Sequence, residues 1–164
     1  MRTSWLLQQP PEFRMKWRQH LEALEPRGAR PSPLLTPEEA VSLVRQGDRS
    51  VGVLSYAWLS PGDPDPAGRR LAVLRSSLAK LPNVVALFWD YASLYQHPPG
   101  GLRTKDEDAS FGRAIEVMGD LYASAIGTTV LQLKEIPPRP SSFDGALCMF
   151  GLAKDSESKS LGCA

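Results

Sequence analysis

The sequence predicts an α/β fold, a parallel sheet flanked by helices, and three observations carry that prediction. Strand-like and helix-like segments alternate from residue 51 onward, the order that builds a covered parallel sheet. Val84-Val85-Ala86-Leu87-Phe88-Trp89 is an unbroken apolar run, as expected of a strand buried on both faces. The run ends abruptly at Asp90, with Ser93 and Gln96 just beyond, and ligands of such sheets bind past the carboxyl ends of the strands.

The elements follow in order. Residues 11–25 set Phe13, Trp17, Leu21 and Leu24 at helical spacing, with Arg14, Lys16 and Arg18 turned away. This predicts an amphipathic helix that packs on the domain, a partner-binding helix being the alternative. The stretch from Pro26 to Pro33 breaks it. Thr36-Pro37-Glu38-Glu39 then carries a threonine cap, a proline at the first helical position and a glutamate three residues after the cap, the marks of a helix start. Ala40, Val41, Leu43 and Val44 supply its apolar side, and Gly47 is its natural stop.

Val51 to Tyr56 is a short β-branched run and the first strand. Asp65 is placed to cap the next helix, whose Leu71, Leu74, Leu78 and Leu81 share one face. Arg69, Arg70, Arg75 and Lys80 fall mostly off that stripe and read as a solvated surface. Pro82-Asn83 turns the chain into the second strand, Val84 to Trp89. Past a polar loop, Phe111, Ile115, Met118 and Tyr122 mark a long helix ending near Ala125, and Thr128 to Leu133 is the third strand. Pro137, Pro138 and Pro140 end the regular pattern; Ala146 to Leu152 is a small apolar segment, and the serine-rich stretch from Lys154 has the composition of a disordered tail. The chain thus divides into an N-terminal helical extension (1–47), an α/β core (48–135), and a proline-rich connector with a flexible tail (136–164).

Bulk properties narrow the function classes. At 164 residues the chain makes one domain with a real core. A net charge of +1 gives no global reason to expect nucleic acid or an anionic membrane as partner. No apolar stretch approaches the roughly 20 residues that span a bilayer, and Met1 to Leu7 makes no convincing signal peptide. With only Cys148, Cys163, His20 and His97 available, neither a disulfide framework nor a metal site is expected. A cytoplasmic, reducing location follows as the expectation.

The candidate site joins the ends of the first two strands. Ser55, Tyr56 and Trp58 end the first; Asp90, Ser93 and Gln96 end the second. If the strands are neighbours these groups converge, and aromatic faces with a carboxylate and an amide can hold a nucleoside by stacking and by hydrogen bonds to ribose. The alternative is structural: Asp90 caps a turn, while Trp58 and Trp89 belong to the core. No dinucleotide fingerprint or P-loop is present. Gly100-Gly101-Leu102-Arg103-Thr104-Lys105 reads as a surface loop rather than an anion cradle. Ser93 has no evident base, and Asp106, Glu107 and Asp108 suit a helix start through the dipole.

These residues also carry a family resemblance. Leu54-Ser55-Tyr56-Ala57-Trp58 resembles the L-S-Y-x-W opening of the heterokaryon-incompatibility (HET) domain. Trp89-Asp90 through Ser93 to Gln96 is similar to its W-I-D-x-x-C-x-x-Q stretch, with serine where cysteine is usual. Met118-Gly119-Asp120-Leu121-Tyr122-Ala123-Ser124-Ala125, followed by Val130, resembles the M-x-x-I-Y-x-x-A-x-x-V segment. The match covers roughly residues 51–133. HET domains are similar to Toll/interleukin-1 receptor (TIR) domains. The resemblance therefore implies a flavodoxin-like sheet, here partial, and a nucleotide-type cleft formed by Ser55, Tyr56, Trp58, Asp90, Ser93 and Gln96. It implies NAD as ligand or substrate, and either self-association with other signalling proteins or cleavage of the nicotinamide–ribose bond.

The sequence departs from the enzymes of that group. No W-C-x-x-E pattern follows the third strand, and Glu135 and Glu157 lack its context. Glu107 is the one acid near the expected cleft. The expectation is a non-catalytic signalling or interaction module. The alternatives are an NAD glycohydrolase with Glu107 as its acid and Asp90 and Gln96 on the ribose, and an inactive, truncated product.

Overall fold

Three parallel strands, β1 (Val51–Ser55), β2 (Ala86–Phe88) and β3 (Thr129–Gln132), form the sheet in the order β2-β1-β3. This computed structural model describes residues 1–25, 31–59, 62–98, 100–123 and 127–134. Val51 pairs with Ala86 and Val53 with Phe88 on one side of β1, while Gly52 pairs with Thr129 and Ser55 with Gln132 on the other. The architecture is α/β, because each strand returns to the sheet through a helix. Ala146 to Leu152, both cysteines and the predicted tail lie outside the described residues.

Six helices accompany the strands among the described residues: α1 (Thr3–Leu7), α2 (Arg18–Glu22), α3 (Pro37–Gln46), α4 (Arg69–Leu78), α5 (Asp90–Ser93) and α6 (Lys105–Tyr122). Helix α3 begins with a complete capping box: Glu39 N donates to the Thr36 hydroxyl, and Thr36 N donates to the Glu39 carboxylate. It ends at Gly47 in the left-handed conformation. Thr104 and Glu107 form the same box at the start of α6. Asp106, Glu107 and Asp108 thus sit in the first turn of α6, which begins six residues before Phe111, the first of its apolar markers.

The N-terminal region differs from the predicted single helix. Within residues 11–25 only Arg18–Glu22 is α-helical, while residues 13–17 have no regular structure. Pro10 and Pro11 precede this stretch, and its aromatic residues dock singly: Phe13 packs edge-on against Trp5 at 5.5 Å, and Trp17 against His20 at 5.5 Å. The first residues join the sheet. Thr3 N donates to Val85 O at 3.1 Å, Leu87 N donates to Met1 O at 2.9 Å, and Arg2 bridges Ala86 in antiparallel fashion. The edge of β2 is thereby paired, which removes an exposed ladder. Arg2 also grips Glu39 of α3 through a two-pronged ion pair.

One core results. Trp5, Leu6 and Leu21 from the N-terminal region pack with Leu71, Leu74 and Leu78 of α4 and with Leu54, Leu87 and Trp89 of the sheet. The leucine stripe of α4 is buried as its spacing predicts. Arg70 is a correction: it is only 3% exposed. On α4 it sits one residue before Leu71, at the helix end facing the β1 terminus, so it is enclosed where Arg69 is not.

Candidate functional site

The end of β1 delivers Tyr56 and Trp58, and the end of β2 delivers Trp89, Asp90 and Tyr91; parallel pairing of the two strands brings these groups together. Asp90 opens α5, and its carboxylate is the hub. One oxygen, Oδ1, accepts from the Tyr56 hydroxyl at 2.7 Å and from Tyr91 N at 2.7 Å. The other, Oδ2, accepts from the Trp58 indole N–H at 3.0 Å. The fully buried Trp89 indole donates to the Tyr56 hydroxyl oxygen at 2.7 Å. The polar path therefore runs from Trp89 through Tyr56 to Asp90, with Trp58 closing it from the far side.

Ring packing fixes the donors. Tyr56 lies edge-on to Trp89 at 5.8 Å, and Trp58 edge-on to Tyr91 at 5.6 Å, the arrangement that aromatic quadrupoles favour. Burial pushes the Tyr56 hydroxyl well above its ordinary pKa, and the Asp90 charge adds to the effect. Tyr56 thus stays a neutral donor to Asp90. Burial likewise pushes Tyr91 up to about 12.

The other predicted residues brace this cluster. Ser93 Oγ accepts from Trp89 N at 3.1 Å, closing the short α5 turn. The Gln96 side chain donates to Asp90 O and Leu94 O at 3.2 and 3.0 Å. Gln19 of α2 clasps the Gln96 backbone from both sides: it donates to Gln96 O at 2.7 Å and accepts from Gln96 N at 3.3 Å. Ser55 ends β1, where its carbonyl accepts from Leu133 N. Glu107 stands apart, its carboxylate engaged with Thr104 N. Among the described residues, no group of three or more His, Cys, Asp or Glu side chains could hold a metal ion.

Sequence reasoning missed Arg70. Its guanidinium lies 5.2 Å from the centre of the Tyr56 ring, within cation–π range. Burial lowers its pKa, opposed by Tyr56 and Asp65. None of its three side-chain nitrogens has a hydrogen-bond partner. The nearby Asp65 is also buried, but its oxygens accept Arg70 N and Leu71 N at 3.2 and 2.9 Å. The predicted cap at Asp65 is a correction: α4 starts at Arg69 with Gly68 at its N-cap, and Asp65 holds the amides of the first turn from four residues before the helix.

A cavity of about 330 Å³ lies elsewhere, between the sheet, α3 and α6. Its lining is mainly apolar, with Leu43, Ala86, Leu94, Phe111 and Ala114 among its residues, and of the predicted site residues it includes Ser93 alone. The carboxylate cluster, which has a chemical focus, is the better candidate. No protein-family model matches the chain, and no curated protein or solved structure is found similar to it. Among the described residues no helix is long and apolar enough to cross a membrane.

Proposed function

We propose that the chain is a TIR/HET-like signalling or protein-interaction module with a nucleotide-type cleft at the carboxyl ends of β1 and β2, and that it does not catalyse. The single observation that carries this reading is the Asp90 carboxylate, held at the strand ends by Tyr56 and Trp58. The β2-β1-β3 order supports it, being the order of the first three strands in a flavodoxin-like sheet. Three donors occupy Asp90, leaving about one of its four lone-pair sites for a ligand hydroxyl.

The non-catalytic half rests on the acids. Asp90 is held by two aromatic donors and one backbone donor, and Glu107 serves a helix cap. Neither is poised to give or take a proton, as a general acid or base must be. Self-association and contacts with other signalling proteins in the cytoplasm belong to the same proposal.

Calorimetry of the full chain with NAD and adenosine, run beside an assay for released nicotinamide, tests the reading. Saturable binding without nicotinamide release is the expected result. Release of nicotinamide would refute the non-catalytic half, and absence of binding by either compound would refute the cleft.

A further inference from the structure

Arg70 presents five N–H donors, is 97% buried, and meets no acceptor among the described residues. Buried polar groups in folded proteins are overwhelmingly hydrogen-bonded, and an exception calls for an ion, a water or a function. A buried cation without a partner is worse for stability than an apolar side chain of the same volume. The ring of Tyr56 attracts the guanidinium but gives none of its donors an oxygen. Asp65, the carboxylate whose charge acts on Arg70, is committed to the backbone of α4, and Asp90 is engaged by Tyr56, Trp58 and Tyr91. Among the described residues no acceptor meets the Arg70 donors.

We propose that Arg70 anchors an oxyanion site at the carboxyl end of β1, taking a phosphate or carboxylate group carried by a small ligand. The planar guanidinium fork matches both groups in bidentate fashion, as no single water can. Its position on the first turn of the ten-residue α4 adds the positive end of the helix dipole. Because the Arg70 nitrogens are shielded from water in the free chain, binding exchanges the Tyr56 ring for the anion as the partner of the guanidinium. The site rests on the reading of this sheet edge as a ligand cleft, and it adds that the ligand there is anionic.

The test is an NMR titration of the full chain, following the Arg70 Nε–H resonance in the parent and, in the parent and every variant, the backbone amides of Tyr56 and Leu71. Inorganic phosphate, acetate, adenosine and adenosine monophosphate are the probes, at ionic strength matched with chloride. A saturable shift with phosphate, acetate or adenosine monophosphate, but not with adenosine, is expected. Phosphate alone assigns the site to a phosphorylated ligand, and acetate alone to a carboxylate. Arg70→Met should weaken the anion response roughly tenfold or more, the loss expected for charge-assisted bonds, while Arg69→Met on the exposed neighbour should retain it. Because Met replaces an unpaired buried charge, the Arg70→Met chain should melt no lower than the parent. No saturable shift at Arg70 with any anion would overturn the site, as would an Arg70→Met chain that responds like the parent; if that variant does not fold, the titration of the parent chain decides alone. An anion response without adenosine or NAD binding would keep the oxyanion site and remove the nucleotide reading. Adenosine or NAD binding with Arg70 silent to every anion would do the reverse.

Discussion

Asp90→Asn is the most incisive perturbation of the strand-end cluster. Asparagine keeps the shape but offers one acceptor oxygen in place of two. With that oxygen on Tyr56 and Tyr91 N, where Oδ1 now stands at 2.7 Å from both donors, the new NH2 group faces the Trp58 indole N–H. The bond of 3.0 Å at that position is replaced by two opposed donors. A hydrogen bond to a charged group contributes about 1.5–3 kcal/mol, and the two retained bonds weaken as their acceptor loses its charge. Discounted because Asp90 is only half-buried, the expected loss is about 2–3 kcal/mol. Guanidinium unfolding followed by tryptophan fluorescence measures it, since Trp58 and Trp89 both report on the cluster. A double-mutant cycle with Trp58→Phe should show coupling of about 0.5–3 kcal/mol. A loss below about 0.5 kcal/mol, the range of ordinary surface changes, or strict additivity with Trp58→Phe, would refute the description of Asp90 as the hub.

Other outcomes follow from the same contacts. The Met1 amine is buried and donates to Leu87 O at 2.8 Å, and burial, reinforced by the charges of Arg18 and Arg2, lowers its pKa to about 5. The unfolded chain therefore binds a proton below about pH 8 that the folded chain refuses until about pH 5, so stability should fall by up to about 4 kcal/mol as pH drops across that window; denaturation midpoints flat from pH 8 to 5 would contradict a buried amine. Tyr56 titrates in the opposite sense: its hydroxyl is held protonated in the fold, so stability should decline as pH rises past about 10, where the unfolded tyrosine ionises, and alkaline unfolding curves of Tyr56→Phe should show a shallower decline. Gly127 has φ +73° and its would-be Cβ collides with the Gly47 backbone, so Gly127→Ala should cost more than about 1 kcal/mol in thermal melts; an unchanged midpoint would show that β3 enters the sheet another way. Thr104→Ala removes the α6 capping box and should cost about 1 kcal/mol, with exchange of the first-turn amides accelerated.

The parts of this fold that sequence reveals are those decided locally. Thr36, Pro37, Glu39 and Gly47 announce α3 because capping is a contest among a few adjacent backbone groups. Val51–Ser55 and the run to Trp89 announce strands because covered parallel strands need apolar residues on both faces. The site was legible to the same extent: Tyr56, Trp58 and Asp90 end adjacent parallel strands, so strand pairing alone brings them together. What pairing does not convey is how many donors the carboxylate already holds. Whether Asp90 is open or clasped depends on side-chain rotamers across 32 and 34 residues. The N-terminal region was misjudged because helical spacing at Phe13, Trp17 and Leu21 also arises when aromatic residues dock one by one from an irregular segment. Arg70 escaped notice because charged residues off an apolar stripe are exposed by default, and only the converging end of β1 encloses this one.

The most direct test of the strand-end cleft is to titrate the isotope-labelled full chain with NAD while watching the Trp58 indole N–H and the backbone amides of Asp90 and Gln96. Saturable shifts at these positions, with NAD intact at the end, are the predicted result. Shifts absent at millimolar NAD, or confined to the apolar cavity beneath α3 and α6, would contradict it.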